Sequence, residues 1–259
     1  MDRAELSRIL GLPELASQLE RVDGLMLADF SGSVLKDSAA RLLQRGGKRL
    51  RPAMLIAAAA LGKDYGEEKV LAAAAGVELI HQASLAHDAI TDDGLSETGL
   101  NLALLSGDRL MAVGFSLAAA ADGWAVEQLA AAVQKMADGQ ALQLERRYRA
   151  DTADAFYLKT IEYKTASLFG AALLIGGRLG GLSPAALKAL GSYGAAFGTA
   201  FQIADDIADG EFGPDRLPGA KTAVRRRFEL AQAALNALPK SRVGQGLASL
   251  AAWYLDRLR

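Results

Sequence analysis

The feature of this sequence that most limits its fold is the spacing of its apolar residues. They recur at intervals of three and four along most of the chain, and no stretch alternates apolar and polar residues as a half-buried strand would. Alanine and leucine, the best helix formers, dominate, and the prolines lie where helices should begin or end. The pattern therefore predicts an all-α protein.

The periodic segments and the breaks between them predict a series of helices, many of them apolar nearly all round. Such helices suit a large bundle with a buried central helix. No linker or low-complexity stretch divides the sequence, so we expect a single domain over residues 1–259. The predicted helices span residues 2–10, 13–30, 34–45, 51–62, 67–91, 101–121, 124–149, 153–179, 184–209, 222–237 and 242–258.

Charge and cysteine content narrow the classes of function. The 29 Lys and Arg residues nearly balance the 30 Asp and Glu residues, and no basic stripe is interleaved with aromatics, so nucleic acid is not an expected partner. The absence of cysteine excludes disulfides and thiolate metal sites and fits a reducing compartment. The N-terminus is charged, and apolar runs such as 53–61 are too short to span a bilayer. We expect a cytoplasmic protein without a membrane span.

The helix predicted over 184–209 ends in three acids, Asp205, Asp206 and Asp209. Asp205 and Asp209 are four residues apart, so they lie on one face of a helix, with Phe201 one turn earlier on the same stripe. Two stacked carboxylates repel each other unless a cation lies between them. Because Mg²⁺ is the usual cation when the substrate is a phosphate, the cluster predicts a magnesium site.

A second acidic cluster repeats this spacing with Asp88 and Asp92. His81 lies on the same helical stripe, two turns before Asp88. A lone histidine on an apolar helix is more often a satisfied core residue than a ligand. Here it could also reach a phosphate oxygen, and the residues alone leave both interpretations open.

Lys48, Arg49 and Arg51 lie between a glycine pair and Pro52. The glycines end one helix, and proline is favoured in the first turn of the next. Cationic side chains beside a helix N-terminus form an anion site, whereas the alternative is a solvated basic loop. The two acidic metal candidates elsewhere in the chain favour the phosphate interpretation.

Two further polar signals interrupt apolar helices. A lysine such as Lys164 costs free energy inside an apolar helix unless its charge is paired, so it either extends to solvent or contacts the phosphates. Gln140, which follows Gly139, needs hydrogen-bond partners in its apolar run. By itself the glutamine is a weak signal.

Taken in order, these motifs resemble the trans-isoprenyl diphosphate synthase (polyprenyl synthetase) family over nearly the whole chain. Residues 47–52 resemble the family's isopentenyl-diphosphate-binding segment. Residues 80–88 resemble the approach to its first aspartate-rich motif, and 200–209 are a full match to the second. Residues 164–166 and 139–140 match two lesser motifs. Several independent motifs thus agree in spacing and order.

The resemblance implies the type I isoprenoid synthase fold, a bundle of long helices around a deep central cavity. It implies a reaction in which an allylic diphosphate ionises, isopentenyl diphosphate attacks the cation and a proton is lost. Mg²⁺ would clamp the leaving diphosphate between the two acid clusters and neutralise its developing charge. A dimer is also expected, either a homodimer or a heterodimer with a complete synthase.

The resemblance also assigns roles to positions of this chain. The expected metal-binding residues are Asp88, Asp92 and Asp205, supported by Asp206 and Asp209. The residues expected to hold isopentenyl diphosphate are Lys48, Arg51 and His81, with Lys221 as a loosely aligned late phosphate-binding lysine. Those expected to face the reacting centre and the allylic diphosphate are Lys164, Thr165 and Gln202.

Three departures from the family pattern bear on activity. The second acid of the first motif is replaced by Ala89. The arginine pair that follows this motif in the family is missing, with no arginine before Arg109, and the loop before Ser106 is shortened. The segment between Asp209 and Lys221 is abbreviated as well. Each lost charge-assisted hydrogen bond to a buried phosphate would cost roughly 2–3 kcal/mol, or about a hundredfold in rate.

Three hypotheses remain. The first is an active prenyltransferase, for which small residues at Ala83 and Ser84 predict a product of geranylgeranyl length or longer. The second is a catalytically impaired regulatory or partner subunit of a heteromeric prenyl synthase, favoured by Ala89 and the missing arginines. The third, a type I terpene cyclase, is disfavoured because helix 184–209 lacks an asparagine–serine–glutamate metal motif and the isopentenyl diphosphate segment would be unexplained.

Overall fold

A computed structural model describes residues 1–44, 47–62, 65–92, 96–147, 154–238 and 240–257. Within these ranges the chain contains helices and turns and no strand, which confirms the all-α prediction. The helices are α1 (Arg3–Leu10), α2 (Leu15–Ala28), α3 (Lys36–Gln44), α4 (Leu50–Ala59), α5 (Glu67–Asp92), α6 (Glu97–Ala121), α7 (Gly123–Arg147), α8 (Asp154–Ile161), α9 (Ser167–Leu179), α10 (Pro184–Ala208), α11 (Leu217–Ala234) and α12 (Arg242–Asp256).

Two helices begin four or five residues earlier than the sequence predicts. Helix α6 begins at Glu97 rather than 101 because the Ser96 hydroxyl accepts a hydrogen bond from the backbone N–H of Gly99 and caps the first turn. Helix α11 begins at Leu217 rather than 222, with Pro218 in its first turn, and ends in a short 3₁₀ turn, Leu235–Ala237. The last predicted residues of helices 34–45, 124–149 and 242–258, and the first of 153–179, lie outside the described residues.

The single helix predicted over 153–179 is wrong, because a π-helical turn, Glu162–Ala166, separates α8 from α9. The turn lies against α7 at Gly139, where a Cβ atom would stand 2.5 Å from the backbone nitrogen of Lys164. The inserted residue shifts the apolar stripe by one position, but α9 is apolar nearly all round, so the shift cannot be read from the sequence. Such turns are frequent at functional sites.

Helix α4 is the buried central helix that the sequence predicts. Each of its residues except Arg51 is buried, and it packs against α5 and α9. Glycines permit the close approach of α9, since a Cβ atom at Gly176 would lie 2.1 Å from the carbonyl oxygen of Leu55. The outer layers are α5 with α6 on one side and α10 with α9 and α11 on the other. The α4 N-terminus is thereby fixed between α5 and α9.

The sequence led us to expect no segment that could span a membrane, and helix α6 does not fit this expectation. By length and composition alone, Glu97–Ala121 is apolar and long enough to do so, with 33% of its most apolar stretch buried. A core helix of a soluble protein passes the same test, and α6 packs closely against α5. The finding is therefore weak evidence for a membrane span.

Candidate active site

A cavity of about 840 Å³ lies between the segment that precedes α4, helices α5, α7 and α10, and the π-helical turn. Asp88 on α5 and Asp205 on α10 both line it. The other predicted site residues that line it are Lys48, Arg51, His81, Lys164, Thr165 and Gln202. Segments far apart in the sequence thus bring their charged and polar side chains to one cavity.

Other predicted site residues are not among the described residues that line this cavity. Asp206 is buried, and its carboxylate accepts hydrogen bonds from the Tyr157 hydroxyl and from Gln202 Nε2, the latter at 2.7 Å. Asp209 is exposed at the C-terminal end of α10, and Lys221 is exposed on α11. The side chain of Asp92 lies outside the described residues.

Lys48 and Arg51 supply the positive charge of what we call the cationic wall of the cavity, and neutral His81 completes this wall. The Arg51 guanidinium stacks 4.4 Å from the ring centroid of Phe169, and its buried Nε has no hydrogen-bond partner among the described residues. Burial lowers the pKa of Arg51 to about 10, against the opposing effect of Glu78. Arg51 still carries its charge at neutral pH, so this wall presents a cation and an unused donor to a ligand.

His81 is neutral at pH 7. Burial, followed by the positive charges of Arg51 and Arg49, lowers its pKa well below the ordinary value of 6.5. A neutral imidazole donates one N–H and accepts at its other nitrogen. The same cations that keep the histidine neutral create a positive potential, which suits a bound anion.

Asp88, also on the cavity wall, forms an ion pair with Lys164. Their Oδ2 and Nζ atoms are 3.1 Å apart, and Lys164 Nζ also donates to Gln143 Oε1 at 2.9 Å. The free-energy cost of a lysine in this helix is therefore offset by partners on α5 and α7. Lys164 contacts the first acid cluster rather than extending to solvent.

The second acid cluster carries an excess of negative charge. Partial burial, then the neighbouring carboxylates of Asp209 and Asp206, raise the pKa of the Asp205 carboxyl, and Lys48 acts in the opposite direction. A cation beside Asp205 would relieve this repulsion. Electrostatics thus favours a cation where α10 meets the cavity.

A chain of hydrogen bonds fixes the polar groups between the two acid clusters. The Thr165 hydroxyl donates to Gln202 Oε1 at 2.9 Å, and Gln202 Nε2 in turn donates to Asp206. The Tyr157 hydroxyl holds the other oxygen of Asp206. Because both ends of its amide are used, Gln202 is held in one orientation beside the cavity.

The residues that could hold a metal suit an ion that is coordinated jointly by the protein and a bound phosphate, rather than by the protein alone. No group of three or more His, Asp or Glu side chains among the described residues is close enough to coordinate an ion. Mg²⁺ is commonly bound by one or two carboxylates together with substrate phosphates. The excess negative charge around Asp205 fits such a cation. Asp88 and Asp205 therefore fit a metal held against a diphosphate.

Apolar side chains line the rest of the cavity. The lining residues include Ser84 and Leu85 on α5, Met111 on α6 and Met136 on α7. The predicted product length rests on small residues at Ala83 and Ser84, but Ala83 is fully buried in the core and is not among the described lining residues. Of the two, Ser84 lines the cavity, and the product length stays a prediction.

Sequence reasoning missed several residues that shape the site. Met111 and Met136 gave no signal, because methionine in an apolar helix is ordinary core composition. Arg49 was grouped with the cations of the predicted anion site, but the residue is 5% exposed and its guanidinium is bonded to the protein instead. Glu78 offered a usable signal, since a carboxylate inside an apolar helix requires a partner.

Solved structures define the class of fold. A decaprenyl diphosphate synthase from Rhodobacter capsulatus superposes with a TM-score of 0.87 at 27% identity, covering 99% of each chain. A polyprenyl synthase from Caulobacter crescentus, complexed with calcium and isoprenyl diphosphate, gives 0.85 at 27% identity, covering 98% of each. The fold is the all-α type I isoprenoid synthase fold.

Sequence comparison gives the family. Residues 33–217 match the polyprenyl synthetase family. A nonaprenyl diphosphate synthase from Mycobacterium tuberculosis is 35% identical over 215 residues, which cover 77% of this chain and 64% of that protein. A geranylgeranyl diphosphate synthase from Saccharolobus solfataricus is 33% identical over 72% of this chain and 60% of its own length. The matches span less than two thirds of the length of these two relatives. Because the family match covers more than half of the chain, the chain belongs to the polyprenyl synthetase family.

Proposed function

We propose that this chain condenses isopentenyl diphosphate with an allylic diphosphate. The observation that carries the proposal is that cationic, acidic and apolar side chains line one cavity. A substrate pair with two diphosphates and two hydrocarbon chains requires these three kinds of contact, with metal ions between the acids and the phosphates. Membership of the polyprenyl synthetase family supports this match.

In this proposal the cationic wall holds isopentenyl diphosphate. Lys48 and Arg51 neutralise its charge, and the unpartnered Nε of Arg51 gains an acceptor. Neutral His81 donates its N–H to a phosphate oxygen. Because Lys48 and Arg51 lie on the turn before α4 and on buried α4 itself, the nucleophilic double bond is held in one position relative to the allylic substrate.

The acidic side of the cavity holds the allylic diphosphate. Asp88 and Asp205 would bind Mg²⁺, which when present neutralises the charge that develops on the leaving diphosphate. Lys164 lies beside Asp88 and adds a fixed positive charge there. The oxygen of Thr165, whose proton is used by Gln202, keeps its lone pairs available to stabilise the positive charge on the allylic carbon.

The apolar interior favours a product of geranylgeranyl length or longer. Ser84 is small and leaves the cavity open beside α5, and the lining side chains on α6 and α7 include the flexible methionines Met111 and Met136. A growing hydrocarbon chain can displace methionine side chains more easily than aromatic ones. Relatives in the family make products of several lengths, as the nonaprenyl and geranylgeranyl synthases show by name.

A partner subunit of a heteromeric synthase is the second candidate. Ala89 replaces an acid in the first aspartate-rich motif, and no arginine follows before Arg109. A relative named heptaprenyl diphosphate synthase component 2, from Geobacillus stearothermophilus, is 32% identical over 76% of this chain. Three exposed leucines on α6, Leu102, Leu104 and Leu105, suit burial against a second chain, so we propose a dimer in either case.

The test is elongation by the purified chain with Mg²⁺, isopentenyl diphosphate and geranyl, farnesyl or geranylgeranyl diphosphate in turn. We expect products of at least geranylgeranyl length, and we expect Lys48→Ala to reduce turnover about a hundredfold through loss of a charge-assisted contact. Lys69→Ala, an exposed lysine at the start of α5, is the matched control and should leave turnover unchanged.

Absence of product with every primer would exclude the synthase function for the isolated chain. The partner-subunit candidate would then be tested by co-expression with a complete synthase. A stable complex with altered rate or product length would support that candidate. If no complex forms and the products are unchanged, the partner-subunit function is excluded too.

A further inference from the structure

The turn that precedes α4 has an unusual backbone at Arg49. With φ 48° and ψ 39°, Arg49 is the non-glycine residue with a left-handed conformation among the described part of the chain. This conformation is disfavoured for residues with a Cβ atom. It persists where the surrounding contacts over-determine it, and such sites cluster near functional residues. Lys48 and Arg51, on either side, both line the cavity.

The contacts of the Arg49 guanidinium explain how this backbone is held. Its Nε donates to Asp23 Oδ1 at 2.8 Å, its Nη1 to Glu78 Oε1 at 2.9 Å and its Nη2 to the carbonyl oxygen of Leu43 at 3.0 Å. These acceptors belong to α2, α5 and α3. One side chain therefore joins the turn to three helices.

The partner on α5 is held equally firmly. Glu78 is 3% exposed, and the oxygen that accepts from Arg49 also accepts from Gln82 Nε2 at 3.0 Å. Although burial acts against it, the carboxylates of Glu78 and Asp23 raise the pKa of Arg49. A buried ion pair is weak evidence for stability because of the cost of desolvation. The location of this buried ion pair beside the cavity points instead to a role in positioning the turn.

We propose that Arg49 and Glu78 are positioning residues that hold the turn so that Lys48 and Arg51 present their charges to the anion site. Arg49 uses all three guanidinium nitrogens on protein acceptors, whereas Arg51 has a buried nitrogen without a partner among the described residues. The two arginines therefore have different roles. Arg51 binds the ligand, and Arg49 fixes the backbone that carries Arg51. The identity of the ligand as isopentenyl diphosphate rests on the proposed function.

The effect of removing the charge of Glu78 distinguishes this role from a purely electrostatic one. Without a positioning role, loss of a carboxylate near an anion site strengthens anion binding, because a like charge is removed. With a positioning role, the same change weakens binding, because Arg49 loses its buried acceptor and the turn shifts. A displacement of about 1 Å in a positioned group can cost about a hundredfold.

The experiment is calorimetric titration of isopentenyl diphosphate into wild type, Glu78→Gln and Arg49→Lys, with Glu68→Gln as the control on the same helix. We expect the Kd for isopentenyl diphosphate to rise about tenfold or more in Glu78→Gln and in Arg49→Lys. The control, an exposed acid paired with Arg21, should match wild type. An unchanged or lower Kd for Glu78→Gln would overturn the proposal. Thermal unfolding of each variant shows that the titrated protein is folded.

A second measurement does not depend on the ligand. Hydrogen–deuterium exchange of the peptide that covers residues 47–52 should be faster in Glu78→Gln than in wild type, and unchanged in Glu68→Gln. Equal exchange in Glu78→Gln and wild type would overturn the positioning role. If wild type does not bind isopentenyl diphosphate while the exchange difference is present, the proposed function fails and the inference about the turn stands.

Discussion

His81 makes the stability of the fold depend on pH. Its pKa in the folded protein lies well below 6.5, whereas in the unfolded chain it keeps the ordinary value. Between these values the unfolded state binds more protons, so this residue's contribution is fully present above about pH 6.5 and stability is lost as pH falls below it. We predict that wild type loses more free energy of unfolding between pH 7.5 and 5.5 than His81→Gln does. Urea unfolding at the two pH values measures the difference, and equal losses would contradict the assignment.

Several of these residue roles could be read from the sequence, and others could not. The sequence left Lys164 either extending to solvent or contacting the phosphates, since an unpaired cation in an apolar helix is costly, and the structure pairs it with Asp88 and Gln143. It gave no indication that Asp206 is bonded to Tyr157, because the two residues are 49 positions apart and pair only through the fold. Long-range partners of this kind decide which acids face the cavity.

Among the helices, the contact between α7 and the π-helical turn controls the position of Lys164. A Cβ atom at Gly139 would lie 2.5 Å from the nitrogen and 2.9 Å from the Cα of Lys164, so Gly139→Ala must push the turn away. We predict that the substitution destabilises the fold by about 1–3 kcal/mol and lowers turnover. Thermal unfolding and steady-state kinetics with the allylic primer test the two effects.

Gly24→Ala is the matched control for this prediction. Gly24 also lies inside a helix, but no described atom stands within 4 Å of its added Cβ. The substitution should therefore stabilise the protein by about 0.5–1 kcal/mol and leave turnover unchanged. A Gly139→Ala variant as stable and as active as Gly24→Ala would show that the turn is not held by this contact.

The helices themselves were largely predictable, because their apolar stripes follow from the repeat of the α-helix. The differences have local causes. The Ser96 cap extends α6 by four residues, from 101 to 97, and the π-helical turn adds a residue without changing the apolar character of the segment. Periodicity reports which residues are buried, and it is insensitive to one extra residue between two buried stretches.

In the whole molecule, charged side chains from several helices meet at one cavity. The cations come from the turn before α4, the first turn of α4 and the π-helical turn, and the acids come from the end of α5 and from α10. The acids on α5 and α10 are brought together only by the packing of the bundle. The central claim is therefore that a diphosphate and a cation complete the site between Asp88 and Asp205.

Calorimetric binding of farnesyl thiodiphosphate, an allylic analogue that ionises slowly, tests this claim most directly. We predict that Mg²⁺ tightens its binding to wild type at least about tenfold relative to buffer with EDTA, through neutralisation of charge between the carboxylates and the diphosphate. Asp88→Asn and Asp205→Asn should each lose most of this dependence on Mg²⁺. Equal binding in Mg²⁺ and EDTA, or full dependence on Mg²⁺ in both variants, would contradict the account.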